Sequence, residues 1–430
     1  MDYPVWQLWG INGGLLVAII SVLHVFVAQF AVGGGFLLVH AATRAERAGS
    51  AEATFWVKRF TRFFLLLSMV FGGVSGVGIW VIISLISPAA TSLLVHRFVY
   101  AWATEWVFFL GEIVALLVYY YGFGKMRFED HRNVGLLYGL FAYLSLFMIN
   151  GIITFMLTPG AWMQTQGFWD GFFNPTFWPS LLFRSALCAM LSGLFGLVWA
   201  SLIDDERARE LMTGVTRLWA LVPIPFMAVG AWWYLGALPA PQLEMVLRRT
   251  ADIRPFLEAF PWVLAALMVG GLAFFTRLPS GARVPVAALL LVLGLCQVGT
   301  FEWVRETGRR PWIVHGVIWS NGITPEAGAK SDLEGMLKVA RWSGVKQVAE
   351  ANMHEAGREL WQVQCANCHG LGAPMIDILP RIANRPLTGV EALITGQGAL
   401  QGYMPPFVGT PAERRALATY LVNERDARRH

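Results

Sequence analysis

GGLLVAIISVLHVFVAQFAVGGGFLLVHA, Gly13 to Ala41, contains no Asp, Glu, Lys or Arg from end to end. A bilayer core about 30 Å thick is crossed by roughly 20 apolar residues in a helix, so this run is long enough to span one. Only a helix satisfies all of its backbone polar groups within a single segment in lipid. Comparable runs recur at Phe63–Ile86, Phe98–Gly122, Val134–Leu157, Pro179–Ile203, Leu218–Leu238, Phe256–Phe275 and Val284–Trp303. The expected fold is therefore all-α, a polytopic membrane bundle of about eight spans. Composition agrees, with 56% hydrophobic and only 14% charged residues, against about 25% charged in soluble domains. The 19 Trp and 29 Phe suit aromatic belts at the two interfaces.

Basic residues set the expected sidedness. The first, third, fifth and seventh connections carry thirteen Lys and Arg, and the second, fourth and sixth carry four. Short loops rich in Lys and Arg stay in the cytoplasm, so both ends of the bundle should face the periplasm of a bacterial inner membrane. Because the arginines gather in those loops, the net charge of +5 implies no nucleic-acid partner. The start, MDYPVWQLWG, lacks a basic n-region, and no cleaved signal peptide is expected from it.

Past the last span the character of the chain changes. ELWQVQCANCHGLGAP, Glu359 to Pro374, holds Cys365, Cys368 and His369 as C-x-x-C-H, the pattern that anchors a c-type heme. A chance thiol pair or half of a zinc site is the bland alternative. Covalent heme attachment takes place on the periplasmic side in bacteria, which matches the charge count. From about Asn352 the sequence resembles a small class I cytochrome c. It has an amphipathic lead-in (HEAGRELWQVQ) and a closing helix within TPAERRALATYLVNERDARR, with Leu417, Tyr420 and Leu421 on one face. The resemblance implies that Met404, in GYMPPF, is the second axial ligand, a pairing that raises the reduction potential. The expected layout is a heme-binding bundle over 1–315, a periplasmic linker over 316–350 carrying a surface helix at Asp332–Trp342, and a cytochrome c domain over 351–430. The remaining cysteines, Cys188 and Cys296, stand alone in apolar runs and read as small hydrophobes.

Ionisable side chains at membrane depth are costly and are functional candidates by default. His24 lies in the outer half of the first span, either as a heme ligand or as a satisfied interhelical histidine. Glu105 and Glu112 stand seven apart in YAWATEWVFFLGEIVALL and share a helix face. Such a pair suits a proton path, an iron ligand with a proton donor, or hydrogen bonds to a neighbouring helix. In FEWVRETGRRPWIVHG, Glu302 and Glu306 are one turn apart, as are Arg305 and Arg309. These can form a heme edge, with arginine on a propionate, or an exposed ladder of salt bridges.

Taken with His24, the segment Gly308 to Trp312 makes the stretch from Asp2 to His315 resemble subunit I of the cytochrome bd family of respiratory oxidases. The resemblance implies that His24 ligates a high-spin heme and that Glu105 and Glu112 belong to the proton and heme site. It likewise makes Glu306 the carboxylate at a second high-spin heme and Arg309 a heme or structural arginine. It implies noncovalent hemes of b or d type, a related second membrane subunit, and an outward N-terminus. Three features depart from the family. Arg184, in NPTFWPSLLFRSAL, stands nearest the place of a low-spin heme's histidine, leaving Met268 without a mate unless His96 or His315 substitutes. The connection PAPQLEMVLRRTADIRP is short where the family carries a long quinol-oxidising loop. Glu302 stands where a tryptophan is usual. The expected function is a respiratory membrane hemoprotein. A periplasmic c-type cytochrome or other redox protein would feed it through the fused heme c, and the bundle hemes would reduce dioxygen. The alternative is a conduit between quinol or a partner subunit and periplasmic cytochrome c.

Overall fold

The computed structural model describes residues 5–6, 11, 13–249, 253–276, 278–309, 313–314, 316–373, 376–400 and 402–428, with only the backbone of 248–249, 280 and 306–309. Among the described residues, eight helices are long and apolar enough to cross a membrane. They are α1 (Gly13–Arg47), α2 (Ala51–Ile86), α3 (Val99–Gly122), α4 (Phe128–Phe155), α5 (Phe177–Ser201), α6 (Glu206–Ala237), α7 (Arg254–Phe274) and α8 (Ser280–Arg309). No strand occurs among these residues, only two isolated bridges. The chain is an all-α, multi-pass membrane protein.

Each expected span has a helical counterpart, and α2 and α6 begin earlier than their apolar runs; α2 shows why. Ser50 caps it by accepting a hydrogen bond from the Ala53 amide at 3.1 Å. Its first turns are amphipathic, burying Ala53, Trp56, Val57, Phe60 and Phe64, while Lys58, Arg59 and Arg62 mask them from a hydropathy reading. A π-helical turn, Leu67–Gly72, interrupts α2, and Pro223 marks a joint within α6.

α1 and α5 form the centre of the bundle, whereas α2, α3 and α7 expose most of their surface. Three consecutive glycines let the central pair close up. A Cβ on Gly33 would lie 2.1 Å from the Cys188 carbonyl oxygen of α5. On Gly34 it would meet Phe64 of α2 at 2.2 Å, and on Gly35 Tyr138 of α4 at 2.4 Å. The glycine-rich turn below His24 is thus the point where α1 touches three helices at once.

The segment after α8 does not stand apart. α9 (Pro325–Glu334), capped by Thr324, stops at Gly335, whose φ of 97° only glycine adopts readily. A short helix follows at Met336–Val339, and Ala340–Trp342 lie outside any helix. The single helix expected over Asp332–Trp342 is therefore two, offset towards the N-terminus. The break arises because the Glu413 carboxylate accepts from the Met336 and Leu337 amides at 2.9 and 2.8 Å, starting a new helix. The C-terminal domain follows as α10 (Met353–Gln364), α11 (Leu387–Thr395) and α12 (Pro411–Ala427), the last with a Thr410/Glu413 capping box. Leu417, Tyr420 and Leu421 are buried on α12 as the pattern requires. One apolar core runs from Leu16, Val17 and Ile86 of the bundle through Ile313, Ile318 and Ile323 into Leu360, Trp361 and Leu417.

Cys188 is a small hydrophobe of the apolar core, as read, whose thiol donates to Gln29 Oε1 at 2.6 Å, whereas Cys296 is exposed on the bundle surface.

Candidate heme sites

Cys365, Cys368, His369 and Met404 line one cleft together with Ile313, Trp319, Ser320, Ile323, Gln364, Gln397, Pro405 and Pro406. Its empty volume is about 470 Å³, open mouth included. α10 presents the two thiols and the imidazole at its C-terminal end. The Gln364 amide clamps the methionine segment to that helix, donating to the Val408 carbonyl at 2.8 Å and accepting from its amide at 3.1 Å. His369 Nδ1 hydrogen-bonds the Ile376 carbonyl at 3.0 Å, so Nδ1 carries the proton and Nε2 the lone pair, the tautomer that binds iron. A parallel bridge between Gly370 and Asp377 and the Ile378 amide on the Gly370 carbonyl at 3.1 Å hold that carbonyl in place. The cysteines form no disulfide, and burial pushes the Cys365 thiol up to about 12. Two thiols, a neutral imidazole and a thioether facing one apolar cleft fit a covalent heme c.

In the bundle, His24 Nδ1 lies 3.1 Å from Ser75 Oγ on α2. The Ser75 hydroxyl is also within bonding distance of the Phe71 carbonyl at 2.7 Å; with its proton there, His24 donates through Nδ1 and its lone pair falls on Nε2. The π-turn supplies both Phe71 and Gly72 as acceptors for Ser75, a local irregularity of the kind found at functional sites. The donor chemistry fits an iron ligand.

Glu105 and Glu112 lie on α3, roughly 10 Å apart along its axis. Ser145 donates to Glu105 at 2.8 Å and Tyr138 to Glu112 at 3.1 Å, both from α4. The Tyr138 hydroxyl also reaches the Ala31 carbonyl at 2.9 Å. Its single proton serves one acceptor at a time, so a protonated Glu112 can take the other role. The side chains of Glu306 and Arg309, and all of Arg310–Trp312 and His315, lie outside the described residues. His96 is exposed and bonds its own turn through the Ser92 carbonyl at 2.8 Å.

Two of the departures from the family turn out to be one feature. Arg184, 2% exposed, lies 3.5 Å from Glu302, which is fully buried. Arg305 approaches the other oxygen of Glu302 at 2.5 Å, and Arg184 continues through Ser180 to Asn150 at 3.3 and 2.7 Å. The exposed ladder therefore does not form at Glu302 and Arg305, because α5 covers that face of α8. Arg184 crosses the gap as an ion-pair partner where the family resemblance would have placed a ligand. The sequence offered one sign of the coupling: two unusual residues of opposite charge in separate apolar spans.

An all-helical membrane bundle with a heme c cleft seated on one end defines the class, a membrane electron-transfer hemoprotein. Residues 352–421 match the family described as Cytochrome C oxidase, cbb3-type, subunit III. The solved structure of the bd oxidase from Geobacillus thermodenitrificans is similar in fold, with a TM-score of 0.61 and 17% identity over 77% of this chain and 96% of that one. No curated relative matches in sequence. The chain thus joins a bundle of bd-oxidase fold to a cytochrome c domain.

Proposed function

We propose that the chain is the heme-bearing subunit of a bd-type respiratory oxidase. A periplasmic c-type cytochrome, or another redox protein, would feed it through the fused domain. The observation that carries this reading is the placement of the Cys365–His369 cleft at the end of the bundle where α1 begins and α8 finishes, the end nearer His24. Bundle hemes of b or d type would supply one-electron carriage and dioxygen binding. His24 would hold one through Nε2, and Glu306 would ligate a second, with Arg309 on a propionate. Glu105 and Glu112, each bonded to a hydroxyl of α4, would hold and pass protons from the cytoplasm. The distribution of basic loops supports a periplasmic position for the cytochrome c domain. A second membrane subunit would cover part of the apolar surface of α2 and α3, where Val74, Tyr100 and Val107 are exposed. Quinol is disfavoured as donor because the α6–α7 connection, which would have to form its site, packs against Tyr403 of the C-terminal domain.

Oxygen uptake by the purified complex tests the reading. Turnover with a reduced c-type donor is expected; turnover with quinol alone would overturn it. The Arg184–Glu302 pair, standing where a ligand would, favours a second reading, an electron conduit without oxygen chemistry. Carbon monoxide binding to a ferrous bundle heme separates the two, since a conduit with only six-coordinate irons would not bind it.

A further inference from the structure

Every segment that holds heme c also bears on the membrane bundle. Between the two cysteines, the Asn367 amide, in the orientation that satisfies both its ends, donates to the Ile86 carbonyl at the end of α2 at 3.2 Å and accepts from the Asn321 amide at 2.8 Å. Beyond the histidine, Ile376 is 2% exposed and shares an apolar cluster with Ala18 and Leu15 of α1 and Trp303 of α8. Ahead of the methionine, Tyr403 shares one with Leu157, Leu238, Met245, Val246 and Ile253, the last four from the short α6–α7 connection. Three separate contacts define an orientation, where one would leave a pivot.

Ile376 has a second distinction. Its φ of 56° is rare for a β-branched residue, and strain of this kind persists where surroundings over-determine it. Here the carbonyl orients His369 while the side chain is seated in the bundle, so one residue couples the ligand to the membrane part. Ala18 lies six residues, about 9 Å of helix rise, from His24. We propose that the cytochrome c domain is a permanently docked module rather than a tethered mobile one, with Ile376 and Tyr403 as the positioning residues that set heme c against the bundle. The inference rests on the heme c reading and on His24 holding a heme.

Two bundle-side substitutions, Ala18→Phe and Val246→Asp, disturb the seats without touching the fold of the C-terminal domain. In full-length protein in oriented membranes, the electron paramagnetic resonance of heme c should show one narrow orientation, and each variant should broaden it. Heme c content should stay unchanged. Electron equilibration between reduced heme c and an oxidised bundle heme, in which one gains the electron the other loses, should slow at least tenfold in the variants. The conservative Ile376→Val should retain the wild-type orientation and rate. A broad heme c orientation in the wild type, or variants matching it in orientation and rate, would overturn docking by these residues. Absence of any equilibration in a wild type with narrow orientation would instead count against the proposed electron route and leave docking standing.

Discussion

His24 and His369 are oriented by different means. A main-chain carbonyl fixes the tautomer of His369, whereas His24 bonds Ser75, whose hydroxyl also reaches the π-turn. His24→Ala should remove one noncovalent heme and leave heme c, so the pyridine hemochrome total falls while the covalent fraction holds. An unchanged total would mean that His24 is a packing residue. Met404→Ala should keep heme c attached through Cys365 and Cys368 but lower its potential by roughly 0.1 V or more, within the ~0.8 V range that axial ligands command. A redox titration decides it, and an unaltered midpoint would identify another sixth ligand. The C-x-x-C-H motif was legible in the sequence because the spacing itself is the chemistry. The hydrogen bonds that fix each ring were not, because Ser75 and Ile376 carry no motif.

Among the elements, α1 shows how far hydropathy reaches. Its run marks a span, but the reason for three glycines in a row lies in three neighbours. Gly33→Leu should cost several kcal/mol, above the ~1–3 kcal/mol typical of core overpacking, because the opposing atom is backbone and cannot swing away. Gly73→Ala, with nothing within 4 Å of the new Cβ, should be neutral or slightly stabilising. Thermal unfolding of the two variants in detergent, followed by circular dichroism, would show whether close packing or mere helix propensity governs these positions. Hydropathy located the spans and missed the starts of α2 and α6 and the break at Gly335. Amphipathic turns and a cap supplied from another helix leave little apolar signal.

The ion pair between α5 and α8 belongs to the whole molecule, since it ties the central helix α5 to α8. Removing one partner of a buried pair leaves an uncompensated charge, typically about 3–5 kcal/mol. Glu302→Ala should therefore destabilise the protein by that order. Arg184→Met with Glu302→Met should recover only the share of the loss that comes from Arg184, because Arg305 still lacks the Glu302 carboxylate. A double-mutant cycle on detergent-solubilised protein measures the coupling, and simple additivity would show that the pair contributes nothing jointly.

Periodicity and spacing were enough to establish eight apolar helices and a C-x-x-C-H motif, because lipid imposes helix length and heme attachment imposes residue spacing. Tertiary structure alone decided that Arg184 and Glu302 are partners and that three loops of the C-terminal domain rest on the bundle. Both facts are contacts between residues far apart in the chain, and the properties of either residue alone do not encode them.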